Sequence, residues 1–168
     1  SRAMVVLDIT RAVIDEAESK NVQLIISHHP IIFDPLKSVK SDSPVYNLIK
    51  KDISAIGCHT NLDISMTIGV NKSLSDALGL INFSKIGECL FIADLKKTMT
   101  VRNFAKLVND RLSASASVTC PEKQIKKIAI CSGAGGDFIP EAVSCADAFL
   151  TGEAHHDELI FATDKDFP

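Results

Sequence analysis

Leu24-Ile25-Ile26-Ser27-His28-His29-Pro30 is the stretch whose reading decides the fold. An unbroken aliphatic run reads as a strand buried on both faces, the pattern of a parallel sheet. The run stops at two adjacent imidazoles, and Pro30 cannot donate to a continuing ladder. Ligands of open α/β sheets sit just beyond the carboxyl ends of such strands, which is where His28 and His29 stand. Neutral imidazole is a common metal ligand and a base near neutral pH. Two loop histidines without a role are the plain alternative.

Working outward from this strand, residues 4–7 read as another strand, closing on Asp8. Thr10 then caps a helix to about residue 20, with Val13, Ile14 and Ala17 on its inward face. Downstream, Ile31-Ile32-Phe33 form an apolar loop that either packs down as a lid or lines a pocket. A helix over residues 44–51 leads to a strand over 53–58, which ends in His59-Thr60-Asn61-Leu62-Asp63. Residues 69–78 form a helix stopped by Gly79. This alternation argues for parallel βαβ units.

The second half continues in the same style. A strand is expected over 89–94, a helix over 101–112 capped by Thr100, a strand near Val118 and a buried strand over 126–131. Ser132-Gly133-Ala134-Gly135-Gly136 turns the chain into a helix over 139–145. A last strand, 148–150, runs into Thr151-Gly152-Glu153-Ala154-His155-His156. The fold class is α/β: two small domains, 1–82 and 83–168, with mostly parallel sheets flanked by helices. The boundary is placed in the stretch 82–87.

Composition narrows the function classes. The 168 residues suffice to bury a core without staples, and 46% apolar with 23% charged residues is ordinary for a globular protein. A net charge of −3 advertises neither a nucleic-acid face nor a membrane surface. No apolar run approaches the roughly 18 residues of a membrane span. The chain opens directly on a strand-like segment, which reads as the absence of a signal peptide. Five cysteines at 58, 89, 120, 131 and 145 show no Cys-x-x-Cys spacing and read as reduced thiols of a cytoplasmic protein.

All five histidines follow an expected strand. Consecutive strand residues face opposite ways, so His28 and His29 suit two ions of a pair roughly 3.5–4 Å apart better than one ion side by side. Asp63 and Glu153 are candidate oxygen ligands, and such a donor set suits zinc, manganese, iron or nickel. Asp63 reads equally as an N-cap or turn residue before the helix at 69. His59 reads as a group beside the ligands or facing substrate. The glycine turn at 133–136 could cradle a phosphate, but it lacks the P-loop lysine and the dinucleotide fingerprint.

These motifs together resemble the NIF-three-like family, whose members carry the label GTP cyclohydrolase I type 2 homologues. The matching pieces are Leu7-Asp8-Ile9-Thr10, the run from Ile26 to Phe33, His59-Thr60-Asn61-Leu62-Asp63 and Gly69-Val70-Asn71. Ser132-Gly133-Ala134-Gly135 and the run from Ala146 to Glu153 complete them, in order and over the whole chain. The resemblance implies two α/β domains with a two-metal site in the cleft between them, and a homohexamer built from dimers. Its metal-ligand pattern falls on His28, His29 and Asp63, and it places Glu153 as a site-lining residue. It also implies a metal-dependent hydrolase that opens the ring of a GTP-like nucleotide by water attack at C8, with His59 or Glu153 assisting proton transfer. A non-catalytic metal-binding, metal-delivery or adaptor protein is the alternative. The family's Gly-His-x-x-Thr-Glu motif, expected after a strand beginning near Phe167, and its segment before Leu7 lie outside this sequence. An incomplete ligand set and weak metal occupancy are therefore the expectation here.

Overall fold

The computed structural model describes residues Ser1–Pro168 and divides into two compact units, Ser1–Asn61 and Leu62–Pro168. The first holds β1 (Ala3–Val6), α1 (Arg11–Ser19), β2 (Leu24–Ser27), α2 (Pro44–Lys50) and β3 (Ser54–Gly57). Its three strands are all parallel in the order β1-β2-β3, so the strand opening with Leu24 is central. Thr10 Oγ1 accepts from the Val13 N–H and Ser43 Oγ from that of Tyr46, so both crossover helices begin on hydroxyl caps.

Both helices cover the same sheet face. Ile14 and Ala17 of α1, Leu48 of α2 and Ile25 of β2 form one buried cluster, and each fully buried aliphatic side chain there contributes about 1.5–3 kcal/mol. The expected burial on both faces is not met within this unit. Val5 and Ile56, in register across β1 and β3 through Ile26, are 78% and 51% exposed. The aliphatic run reflects a face that no helix of the unit covers.

The second unit begins with the end of the short helix α3 (Thr60–Asp63), followed by α4 (Val70–Ala77), β4 (Ile81–Lys85), β5 (Phe91–Thr100) and α5 (Val101–Leu112). β6 (Gln124–Ala134), a single 3₁₀ turn at Gly136–Phe138, α6 (Ile139–Cys145), β7 (Ala148–Glu153) and α7 (His156–Asp164) complete it. The sheet order is β4-β5-β6-β7. Here the expectation of mostly parallel pairing is corrected: β4–β5 and β5–β6 are antiparallel and only β6–β7 is parallel. Phe91, Ile128 and Ile130 are wholly buried in its core, and Phe83 stacks on Phe91 at 5.1 Å.

Two further expectations change. The division falls between Asn61 and Leu62 instead of at 82–83, because Leu78 and Leu80 pack into the second core and β4 pairs with β5. The stretch taken as a boundary is therefore a strand, interrupted at Asn82 by a left-handed residue. No strand forms at Val118, which is 43% exposed in an irregular segment. His155 and His156 follow β7, as expected, and open α7, where Glu158 accepts from the backbone N–H of His155. No helix of the chain is long and apolar enough to cross a membrane.

Candidate metal centre

Parallel pairing brings three strand ends of the first unit side by side. The ladder continues past β2, where His28 N–H donates to the Val6 carbonyl, His29 N–H to that of Leu7 and Cys58 N–H to that of Ser27. Asp8, the histidine pair and His59 therefore emerge together at the carboxyl edge, the usual ligand position of such sheets. Ring centroids of His28 and His29 lie 5.0 Å apart, those of His28 and His59 5.2 Å, and those of His29 and His59 5.8 Å. One nitrogen from each ring lies within 4.8 Å of the other two. His28 and His59 are half-buried and His29 is exposed.

Hydrogen bonds settle which nitrogen is which. His28 Nδ1 lies 2.9 Å from the Cys58 carbonyl oxygen, and His29 Nδ1 lies 2.7 Å from Asp8 Oδ1. A carbonyl and a carboxylate only accept, so both rings carry their proton on Nδ1, and the lone pair of each neutral ring is on Nε2. His59 Nδ1 meets the Thr60 hydroxyl at 3.2 Å, a partner that either donates or accepts. Three imidazoles at this spacing fit a divalent ion: soft enough for zinc, iron or nickel, with two rings already set to bind through Nε2.

Of the residues singled out in the sequence, His28, His29 and His59 come together. Asp63 and Glu153 belong to the second unit. Asp63 ends α3 half-buried, its carbonyl accepting from Asn71 Nδ2 at 3.1 Å. It is not an N-cap of α4, whose cap position is Gly69. Glu153 ends β7, exposed, opposite Ala134 of β6. The glycine turn is held on itself: Thr151 Oγ1 accepts from Gly135 N–H and donates to the Gly133 carbonyl, each at 3.0 Å. A Cβ on Gly135 would stand 2.6 Å from Thr151 Oγ1, so the turn is packed shut rather than open to a phosphate.

Thiol chemistry is disfavoured in the second unit. Burial pushes the Cys131 thiol up to about 11, with Cys89 and Asp63 adding to the effect, and burial likewise raises Cys89. Neither supplies thiolate at neutral pH. A groove of the unit, about 560 Å³, is walled by Phe104, Val108, Phe149, Leu159 and Phe167, with Glu153 at its edge.

Two contributors were not recognised in the sequence. Asp8 was visible as the last residue of a strand-like segment, but its pairing with His29 depends on strand register. In sequence Phe33 reads only as part of an apolar loop; its ring is 78% exposed and stands edge-on to His59 at 6.1 Å and 85°.

A family model described as Duf34/NIF3 (NGG1p interacting factor 3) matches residues 1–168. A Clostridium perfringens protein named GTP cyclohydrolase 1 type 2 homolog is 32% identical over 168 residues, covering 91% of this chain and 64% of its own length. A protein of the same name from Halalkalibacterium halodurans is 46% identical over 83 residues, 47% of this chain and 22% of that protein. The chain thus spans less than two thirds of these curated relatives. The crystal structure of a Staphylococcus aureus protein superposes with a TM-score of 0.86 at 27% identity, covering 98% of this chain and 72% of that one.

Proposed function

The chain belongs to the Duf34/NIF3 family, and from that premise we propose that it holds divalent metal at the strand ends of its first unit and acts as a metal-dependent hydrolase on a nucleotide. The observation that carries this reading is the convergence of His28, His29 and His59, two of them fixed through Nδ1 by obligate acceptors. His28 and His29 would hold metal through Nε2, and Asp63 is the further ligand the family pattern implies. The family pattern also implies two ions per chain, with zinc, manganese, iron and nickel all compatible with the donors. When bound, such an ion supplies Lewis acidity and activates water at neutral pH.

His59 has a different part. Its Nδ1 partner is a hydroxyl, so the ring can exchange tautomers, which suits proton transfer better than fixed ligation. Glu153 stays a site-lining residue of the family motif. Phe33 offers a flat apolar face beside the imidazoles, of the kind that receives a purine. The relatives' name supports a guanine nucleotide. Free cysteines at all five positions are in keeping with a cytoplasmic protein, and a homohexamer of dimers is the assembly proposed with it.

The deciding experiment measures metal content after loading with zinc, manganese, iron(II) or nickel, then GTP consumption by each form. Ring-opened product formed only by metal-loaded protein supports the hydrolase. Stoichiometric metal without turnover of GTP or other nucleotides favours the metal-binding or metal-delivery alternative.

A further inference from the structure

We propose that Asp8 is a positioning residue of the metal site, holding the His29 ring, which lies beside those of His28 and His59, in the tautomer that offers Nε2 to metal. The inference rests on the metal-binding reading above. Its basis is the 2.7 Å contact between Asp8 Oδ1 and His29 Nδ1. Asp8 ends the β1 segment one residue beyond Leu7, whose carbonyl takes the His29 N–H at 3.0 Å. Backbone and side chain of His29 are therefore both tied to the same short stretch of the neighbouring strand.

This contact has no evident structural purpose. Asp8 and His29 side chains are 53% and 48% exposed, and exposed pairs contribute little to stability. The start of α1 does not need Asp8, because Thr10 supplies the cap. What the carboxylate does is remove one of two tautomers: with Nδ1–H donated to Oδ1, the neutral ring can offer metal only Nε2. His28 gains the same restriction from the Cys58 carbonyl, which no side-chain substitution can remove. Asp8 is thus the side chain through which the restriction can be tested. Carboxylate partners of this kind also make the imidazole a better donor, and losing one typically weakens metal affinity 10–100-fold.

The test uses the full chain. Zinc affinity is measured by calorimetry for wild type, Asp8→Asn, Asp8→Ala, His29→Ala and the Asp8→Ala/His29→Ala double variant. In parallel, ¹⁵N shifts of the His29 ring are read without metal. Asp8→Ala is expected to bind zinc about 10–100-fold more weakly. Asp8→Asn, whose amide oxygen still accepts from Nδ1–H, should fall between it and wild type. The double variant should bind no worse than His29→Ala alone, and the metal-free His29 ring should shift from the Nδ1–H form toward a tautomer mixture. Unchanged zinc affinity in Asp8→Ala, or additive losses in the double variant, would overturn the proposal while leaving the metal site in place. Failure of wild type to bind zinc, manganese, iron(II) or nickel would overturn the metal reading itself, and this inference with it.

Discussion

Asn71 Oδ1 accepts the backbone N–H of Ser132 at 2.7 Å while its Nδ2 donates to the Asp63 carbonyl at 3.1 Å. The side chain is 1% exposed, so one amide joins the end of α3 to the far part of β6 inside the second unit. Replacing it with alanine orphans an N–H and a carbonyl at once. Each buried orphan costs about 1–3 kcal/mol, so Asn71→Ala should lose roughly 2–6 kcal/mol in urea unfolding. Asn71→Asp should also be destabilised, since a carboxylate cannot donate to the Asp63 carbonyl. A loss below about 0.5 kcal/mol for Asn71→Ala would show that water replaces both bonds.

Gly69 guards the same corner by its lack of a side chain. A Cβ there would sit 2.2 Å from the Ser65 carbonyl oxygen, 2.7 Å from that of Leu62 and 2.9 Å from that of Asp63. All three are backbone atoms and cannot rotate away. Gly69→Ala should therefore displace the α3–α4 connection and destabilise the chain by about 1–3 kcal/mol, in the range of other overpacked sites. Wild-type stability, together with unchanged amide shifts at residues 62–65, would contradict this.

The histidines should separate by role. His28→Ala and His29→Ala are expected to reduce bound zinc sharply, since each removes a fixed Nε2 donor. His59→Ala should retain metal but lower nucleotide turnover by 10²–10⁴-fold, the usual weight of a positioned acid or base. Metal content and turnover measured on the same samples distinguish the two cases. If His59→Ala empties the site as completely as His28→Ala, His59 is a ligand.

Phe33 gives a prediction about substrate alone. Its exposed ring makes little contribution to the core, so Phe33→Ala should fold and load metal as wild type does. Removing a base-stacking surface costs about 1–3 kcal/mol, which corresponds to a KM for the nucleotide raised roughly five- to 150-fold. A KM that does not move would take Phe33 out of substrate binding.

The sequence carried the central features because they are local. The run from Leu24 to Ile26 and the histidines behind it needed only strand identity and direction, and β3 with His59 followed the same pattern. What the sequence hid depended on pairing or on broken periodicity. Asp8 meets His29 only once β1 and β2 are in parallel register. β4 reads as a boundary in sequence because Asn82, in a left-handed conformation, interrupts its short apolar stretch. Helix α7 places Leu159, Ile160 and Phe161 in succession, all exposed, and buries only Ala162, so no helical stripe marks it. Mixed pairing in the second sheet is likewise a matter of tertiary register, since antiparallel and parallel neighbours use the same buried aliphatic residues.

Alkaline pH should test the second core through Cys131. Its side chain lies on β6 at 4% exposure, and burial is the main reason the thiol is pushed from 9.0 up to about 11. In the unfolded chain the same thiol ionises near its ordinary value. Between about pH 9 and 11 the folded state therefore holds a proton that the unfolded state has released. Stability rises with pH only where the unfolded state binds more protons, so here the sign is negative. The contribution is fully present below pH 9 and fades as pH climbs toward 11, a loss of roughly 2–3 kcal/mol at 1.36 kcal/mol per pH unit. Cys89 and Cys145 are raised in the same direction by burial and add to the slope. Cys131→Ala should start less stable at pH 8 because it leaves a small void, then lose less than wild type as pH rises, so that the two urea midpoints converge. Midpoints that fall in parallel from pH 8 to 10.5 would show that Cys131 ionises in the folded chain as easily as in the unfolded one.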